Sequence, residues 1–371
     1  YTVSLHDALP ISLFVLLMCV FFTMQFEAVL SQASKVIDDD YKLTNQVFFN
    51  LNNDFEYRAQ IFSIEDAFII VGRTSVQYIS AEGKLIWEKD VSSQNVSVAK
   101  GEHSFALAEK KAGDIFVLND EGKILKKRLS IGAIESLKVF DDAYYGVLKA
   151  NHEFVLLDQN LKTVGSTILP KGMVIDYDVD IDGQNIALLV LDLNRAEFNS
   201  KLMMMSFNGS IISGSNIQGK IAYGLTLDDK GISVTVDSGV LYYGHDGKLL
   251  NQFESDQVIG SFLMDKPSWL YLTEKSSDVD VIESKKEKIV SIDDEGDIKL
   301  KMAPPISNIM GIEKMGKKLL VFNEEMVVIV NASGKVEEKY KGSEDIFDVH
   351  LIGKDGFAIE YINHLDIYSL K

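Results

Sequence analysis

Short apolar runs of strand length recur along the chain from about residue 46 to its end, separated by glycine-rich or charged turns. The stretch 95–130 shows the pattern in full: "NVSVAKG", "SFALAEK", "DIFVLND" and "ILKKRLS". The first two runs are small and apolar, the third alternates, and the fourth carries charge at alternate positions. Such a gradient fits four strands that run from a crowded axis to a solvated rim. Eight third strands can be picked out by the same pattern, at 75–80, 114–119, 153–158, 201–207, 239–244, 288–293, 326–331 and 364–370.

The turn after the third strand repeats almost verbatim: "SAEGKLIWEK" at 80–89, "NDEGKILKKR" at 119–128, "GHDGKLLNQF" at 244–253 and "NASGKVEEKY" at 331–340. A two-residue hairpin needs positive φ, which glycine supplies, so each Gly-Lys is expected to be the outer hairpin of one unit. Gly83 and Gly122 lie 39 residues apart, Gly209 and Gly247 38, and Gly296 and Gly334 38. The gap from Gly122 to Gly209 is two periods, with its missing turn at 158–162, where Asn160 is expected to take the left-handed conformation. A period near 40 with four short strands is the signature of a β-propeller. The fold expected is all-β, an eight-bladed propeller over residues 46–371. The eighth unit ends without a fourth strand, and "QVFFNL" at 46–51 is expected to supply it and close the ring.

Ahead of the propeller lies a different pattern. Residues 11–26, "ISLFVLLMCVFFTMQF", carry no charge, and at helical rise they would span about 24 Å, somewhat less than a bilayer core. Residues 1–12, "YTVSLHDALPIS", resemble translated adapter sequence, and residues 1–10 are set aside as a non-native scar. "QFEAVLSQAS" after the run is a poor signal-peptidase site, so 11–26 is expected to be an uncleaved transmembrane helix and 27–45 a linker. Glu27 and Asp38–Asp40 make the downstream flank acidic, which places the propeller outside the cytoplasm.

Composition narrows the function. The net charge of −18 disfavours nucleic acid, whose phosphates would be repelled, and also an anionic lipid surface. Cys19 is the single cysteine and sits inside the apolar run, so neither an intrachain disulfide nor a cysteine zinc site is expected.

Candidate chemistry is sparse. "DYDVDIDG" at 176–183 imitates the start of a calcium loop through Asp178, Asp180, Asp182 and Gly183, yet the twelfth position is Leu189 instead of Glu. The alternation suits a strand followed by an Asp-Gly turn, which is the reading adopted. His103, His152, His245, His350 and His364 show no i, i+4 metal spacing, and Met203–Met205 are read as core packing instead of a copper site. No catalytic, cofactor or metal residue is assigned. Two insertions break the period, 191–201 and 273–288, both between second and third strands. They can be plain solvated loops or a recognition surface on a rigid scaffold. On the second reading the partner-binding residues are Arg195, Glu197, Phe198, Asp278, Asp280 and Glu283.

The unit "VQYISAEGKLIWEKD" resembles the repeat of quinoprotein-type (PQQ-like) eight-bladed propellers, in which Gly-Lys-x-x-Trp ends a blade. Trp87 fills the aromatic position once; its equivalents are Lys126, Asn251 and Glu338, so a ring of docking tryptophans is absent. The whole layout is similar to an uncharacterised family of membrane-anchored propellers from Gram-positive, clostridial-type bacteria. That resemblance implies an envelope location and no known reaction. The expected function is a non-catalytic interaction module for an envelope protein or glycan. The alternative is a degenerate quinoprotein-like enzyme or small-ligand sensor that uses the axial channel.

Overall fold

The expected third strands all form, each as the third member of a four-stranded sheet. The computed structural model describes residues 41–48, 60–64, 67–72, 75–90, 96–101, 103–169, 172–192, 199–262, 268–274, 286–293, 296–331, 333–353 and 356–370. Among these residues there are 32 strands in eight sheets. Blades 1 to 7 occupy 60–90, 96–128, 134–168, 173–218, 222–254, 257–302 and 311–341, with strand order following chain order. Blade 8 takes three strands from 348–370 and its fourth from Tyr41–Phe48. The expected transmembrane run 11–26 lies outside the described residues, and no helix among them is long and apolar enough to cross a membrane.

Burial follows the gradient read from the sequence. In blade 2 the second strand, Phe105–Glu109, is buried at four of five positions, whereas the fourth, Ile124–Arg128, is buried at none. The core is not one mass but a series of clusters, each drawn from two adjacent blades. Leu148, Phe154 and Leu156 of blade 3, for example, pack on Tyr177, Ile186, Leu188, Met203 and Met205 of blade 4. Met204, whose side chain points to the other face of its strand, packs against Leu225, Val234 and Leu241 of blade 5. The methionine run is therefore core packing on both faces of one strand.

The Gly-Lys turns share one hydrogen-bonded form that differs from a two-residue hairpin. In blade 1, Gly83 N donates to Ser80 O at 2.9 Å and Ser80 N to Lys84 O at 3.0 Å. This is a three-residue loop, a type I turn closed by a left-handed residue. The same pair of bonds recurs in blades 2 to 7. The first residue of several turns also accepts from the lysine position: Asn119 Oδ1 from Lys123 N at 2.9 Å, Asp158 Oδ1 from Lys162 N at 2.8 Å. In blade 3 the left-handed residue is Leu161 (φ 59°), not Asn160, because the bond Leu161 N to Asp158 O fixes the turn one position further on. A left-handed leucine costs about 1–2 kcal/mol. Leu161 is 3% exposed within the blade 2–blade 3 cluster, and full burial of a leucine stabilises by about 1.5–3 kcal/mol, so packing outweighs backbone strain.

From blade 2 to blade 7 the turn also lies against the fourth strand of the preceding blade. Trp87 stacks on Tyr78 (centroids 5.5 Å apart) and Phe105 (5.8 Å), and its Nε1 donates to Asp120 O of the next turn at 2.9 Å. A Cβ on Gly122 would stand 2.7 Å from the Trp87 ring. Glycine is thus required there twice, for φ and for close approach. Arg128 performs the equivalent bridge from blade 2 to blade 3, donating to Leu161 O at 2.7 Å.

The ring closes where the two ends of the propeller meet. First strands of adjacent blades lie side by side, and that of blade 8, Asp348–Ile352, lies beside that of blade 1, Gln60–Ile64. The closing strand starts at Tyr41, five residues before the expected 46–51, of which 49–51 lie outside the described residues. "YKLTNQVF" already alternates: Val47 is 3% exposed, while Thr44 and Gln46 turn outward. Thr44 Oγ1 donates to Ile367 O at 3.1 Å, and Gln46 Nε2 to Asp366 Oδ1 at 2.7 Å. These contacts advance in opposite directions along the two strands, so the closing strand is antiparallel to His364–Leu370. Val47 enters the seam cluster of Ile61, Phe68, Ile70, Ile352 and Leu365, drawn from blades 1 and 8.

Two predictions follow from this packing. Val47→Asp would put a carboxylate into the apolar seam and should lower unfolding stability in urea by about 3 kcal/mol or more, whereas Phe48→Ser, at a position 68% exposed, should cost under about 1 kcal/mol. Equal effects would deny Val47 its place in the seam. Gly122→Ala should cost about 2–3 kcal/mol, from φ strain plus overlap with Trp87, while Gly316→Ala (φ 59°, open space around the Cβ) should cost only about 1 kcal/mol. Thermal melts of the two variants that coincide would remove the docking contact from the account.

Candidate functional site

Alternating strand direction gives the propeller two distinct faces. One carries the Gly-Lys turns and the hairpins between first and second strands; it is called here the turn face. The other, the link face, carries the connections between blades and the hairpins between second and third strands. The closing strand occupies an outermost position and runs antiparallel to its neighbour, so it begins at the turn face and ends at the link face.

Both period-breaking insertions open on the link face. Segment 193–198 joins Asn185–Asp192 to Asn199–Ser206, where Asp192 and Asn199 are paired, and 275–285 joins Ser268–Glu274 to Lys286–Ile292, where Glu274 and Lys286 are paired. Arg195, Glu197, Phe198, Asp278, Asp280 and Glu283 themselves lie outside the described residues.

Three further features gather on that face. The first is a set of exposed apolar side chains at strand ends and links, among them Ile168 (78% exposed), Tyr223, Met310 and Ile362; another set, including Ile86, Leu125 and Leu250, lines the turn-face rim. The second is a cleft of about 820 Å³ between blades 6 and 7, lined by Glu287, Lys288 and the segment 301–307, with Met302, Pro304, Pro305 and Ile306 as its apolar wall. The Pro-Pro pair fixes φ at two successive positions and adds no N–H donors, and the link then bends through 305–308.

The third is a cluster of ionisable groups on the innermost strands of blade 8. Asp348 and His350 alternate on the first strand and so share a face; Glu360 on the second strand is the cross-strand partner of Asp348. His350 Nε2 lies 2.7 Å from Glu360 Oε2, and these side chains are only 10% and 6% exposed. Potential ligand atoms of Asp348, His350 and Glu360 all fall within 4.8 Å of one another. Asp348 Oδ1 accepts from Val349 N at 2.8 Å, and the Phe68 ring of blade 1 meets the His350 ring edge-on at 6.5 Å, so both side chains are held in place. Glu313, on the first strand of blade 7, lies beside them. Burial pushes its carboxyl above the ordinary range, the charge of Asp348 adds to the rise, and His350 opposes it.

The imitation calcium loop is strand and turn, as its alternation indicated. Met173–Asp180 is the first strand of blade 4, and Gly183 N donates to Asp180 Oδ1 across the turn at 2.9 Å. Asp178 engages both oxygens with backbone, accepting from Val179 N at 2.9 Å and Leu227 N at 2.8 Å. Its carboxyl is nevertheless raised, since burial outweighs those two bonds. Asp176 accepts from Leu225 N at 2.9 Å and pairs with Lys138 Nζ at 2.5 Å, so a polar chain ties the first strands of blades 3, 4 and 5. These aspartates hold blades together.

Sequence reasoning missed the blade 8 cluster because histidines were screened at helical spacing. The usable signal was strand spacing: Asp348-x-His350 is an i, i+2 pair, and such pairs share a face of a strand.

The solved structures that resemble the chain show its fold. BamB from Moraxella catarrhalis superposes with a TM-score of 0.57 at 10% identity, covering 89% of this chain and 99% of that one. The computationally designed Ika8 protein gives 0.65 at 9% identity, covering 88% and 98%, and the C-terminal WD40 domain of Sif2 gives 0.59 at 12%, covering 89% and 96%. No curated protein matches the chain. One family model does, over residues 41–367, from the start of the closing strand to the last strand of blade 8, and the chain is thereby a member of the family of unknown function DUF5711.

Proposed function

We propose that the protein is a non-catalytic interaction module of the cell envelope, anchored in the membrane by residues 11–26, whose propeller lies outside the cytoplasm and binds an envelope protein or glycan through its link face. The observation that carries this reading is that both insertions and the apolar-walled cleft open on one face. Both insertions, the Pro304-Pro305 cleft and exposed residues such as Tyr223, Met310 and Ile362 share it. Aromatic and methionine side chains are enriched in interface cores, and loops on a rigid scaffold are the usual carriers of recognition.

The entry of the chain supports the same orientation. The closing strand begins at the turn face, so a membrane segment ahead of it would hold that face toward the bilayer and leave the link face free. The flank 27–40 has Lys35 as its one basic residue, and such scarcity of Lys and Arg favours an external propeller. The similarity to BamB and to WD40 propellers concerns the scaffold; it fits an interaction role without naming a partner. The alternative, a small-ligand site near the axis, draws on Asp348, His350 and Glu360.

Orientation and face can be measured separately. Protease added to intact protoplasts should digest the propeller; full protection would place it inside. In native membranes, photo-crosslinkers at Tyr223, Met310 and Ile362 should trap the same partner, and shortening 193–198 and 275–285 to tight turns should reduce that trapping at least about tenfold. Trapping from Ile86 and Leu250 on the turn-face rim instead would reverse the assignment of the binding face.

A further inference from the structure

We infer that Asp348, His350 and Glu360 form a binding site for one divalent transition-metal cation, with zinc the ion that best fits the donors. This inference is independent of the interaction role and rests on the geometry of blade 8 alone.

The donors are preorganised by ordinary sheet geometry. Asp348 and His350 project from one face of the same strand, and Glu360 stands directly opposite Asp348 across an antiparallel ladder. Two carboxylates facing each other across a ladder repel. A cation between them turns that repulsion into attraction. The three side chains come from the short stretch 348–360 and are fixed by the Val349 N–H, the Phe68 ring and the sheet itself. Little conformational entropy remains to be lost when a metal binds.

Distances suit a small ion. Zinc binds imidazole nitrogen and carboxylate oxygen at about 2.0–2.2 Å, which places tetrahedral donors roughly 3.4 Å from one another. The atoms present span separations from 2.7 Å, His350 to Glu360, up to at most 4.8 Å. One nitrogen and two carboxylate oxygens form a mixed set that suits zinc better than calcium or magnesium, which favour six or more oxygen ligands or retained water. Binding would replace the His350–Glu360 contact.

The site also has a structural position. It lies on the link-face end of the innermost strands of the blade that the closing strand completes. A cation there would tie the first two strands of blade 8 together next to the seam.

The test uses the full chain, stripped with chelator, and Zn²⁺ as the probe. Calorimetric titration should give one Zn²⁺ per chain with a dissociation constant in the micromolar range or below, and millimolar Ca²⁺ or Mg²⁺ should not displace it. Asp348→Asn, which keeps the acceptor for Val349 N, and His350→Gln should each weaken binding at least about tenfold, with the apo melting temperature close to that of the wild type. In the unaltered protein, Zn²⁺ should slow hydrogen exchange at the His350 imidazole C2 position, read by peptide mass spectrometry, more than at His103, His152 or His245. That readout holds even where a variant folds poorly. The inference is overturned by the absence of stoichiometric binding, by binding indifferent to both substitutions, or by slowed exchange at other histidines but not at His350.

Discussion

The fold depends on the seam. A propeller of eight blades has one place where covalent continuity cannot hold neighbours together, between the last blade and the first. Here Tyr41–Phe48 crosses it, pairing with His364–Leu370 and sending Val47 into a cluster shared with Ile61, Phe68, Ile70 and Ile352. Without that strand the last blade would expose an unpaired edge, and the first would lose part of its apolar neighbour. The same strand also decides polarity. It begins at the turn face and ends at the link face.

Around the rest of the ring, adjacency is maintained by a repeated contact. From blade 2 to blade 7 the turn rests on the fourth strand of the blade before it, and the residues that meet vary. Trp87 stacks and donates a hydrogen bond, Arg128 bridges to a carbonyl, Ser215 Oγ reaches Gly247 O, and Met302 fills the space beside Gly334. This variety accounts for the weak resemblance to quinoprotein repeats. The geometry requires a close approach at the turn, and an indole is one of several side chains that provide it. The inner ring is held differently, through Lys138, Asp176 and Asp178, whose contacts link the first strands of blades 3, 4 and 5.

Much of this was legible in the sequence, because the signals were local. Third strands could be counted from alternation, and the turns from Gly-Lys at a period near 40. Errors arose where a position is set by bonds that spacing does not reveal. Asn160 was the residue expected to be left-handed, yet the Leu161 N–H to Asp158 carbonyl bond puts Leu161 there, and its burial compensates. The closing strand was placed late because "VFF" is its most apolar part, whereas pairing with Ile367 and Ser369 extends it back through Thr44. The candidate site was less legible. Its insertions could be seen as breaks in the period, but the pairing of Asp348 and His350 with Glu360 depends on the register of one hairpin, which spacing alone does not give.

Closure of the ring by the N-terminal strand is the claim on which the assignment of faces rests, and amide hydrogen exchange tests it most directly. If Tyr41–Phe48 is a full member of blade 8, peptides covering 43–48 and 364–369 should exchange together, at rates as slow as the second strand of blade 1, Ala67–Val71. Rapid exchange across 43–48, with 364–369 still protected as slowly as blade 1, would show that the ring is closed without this strand.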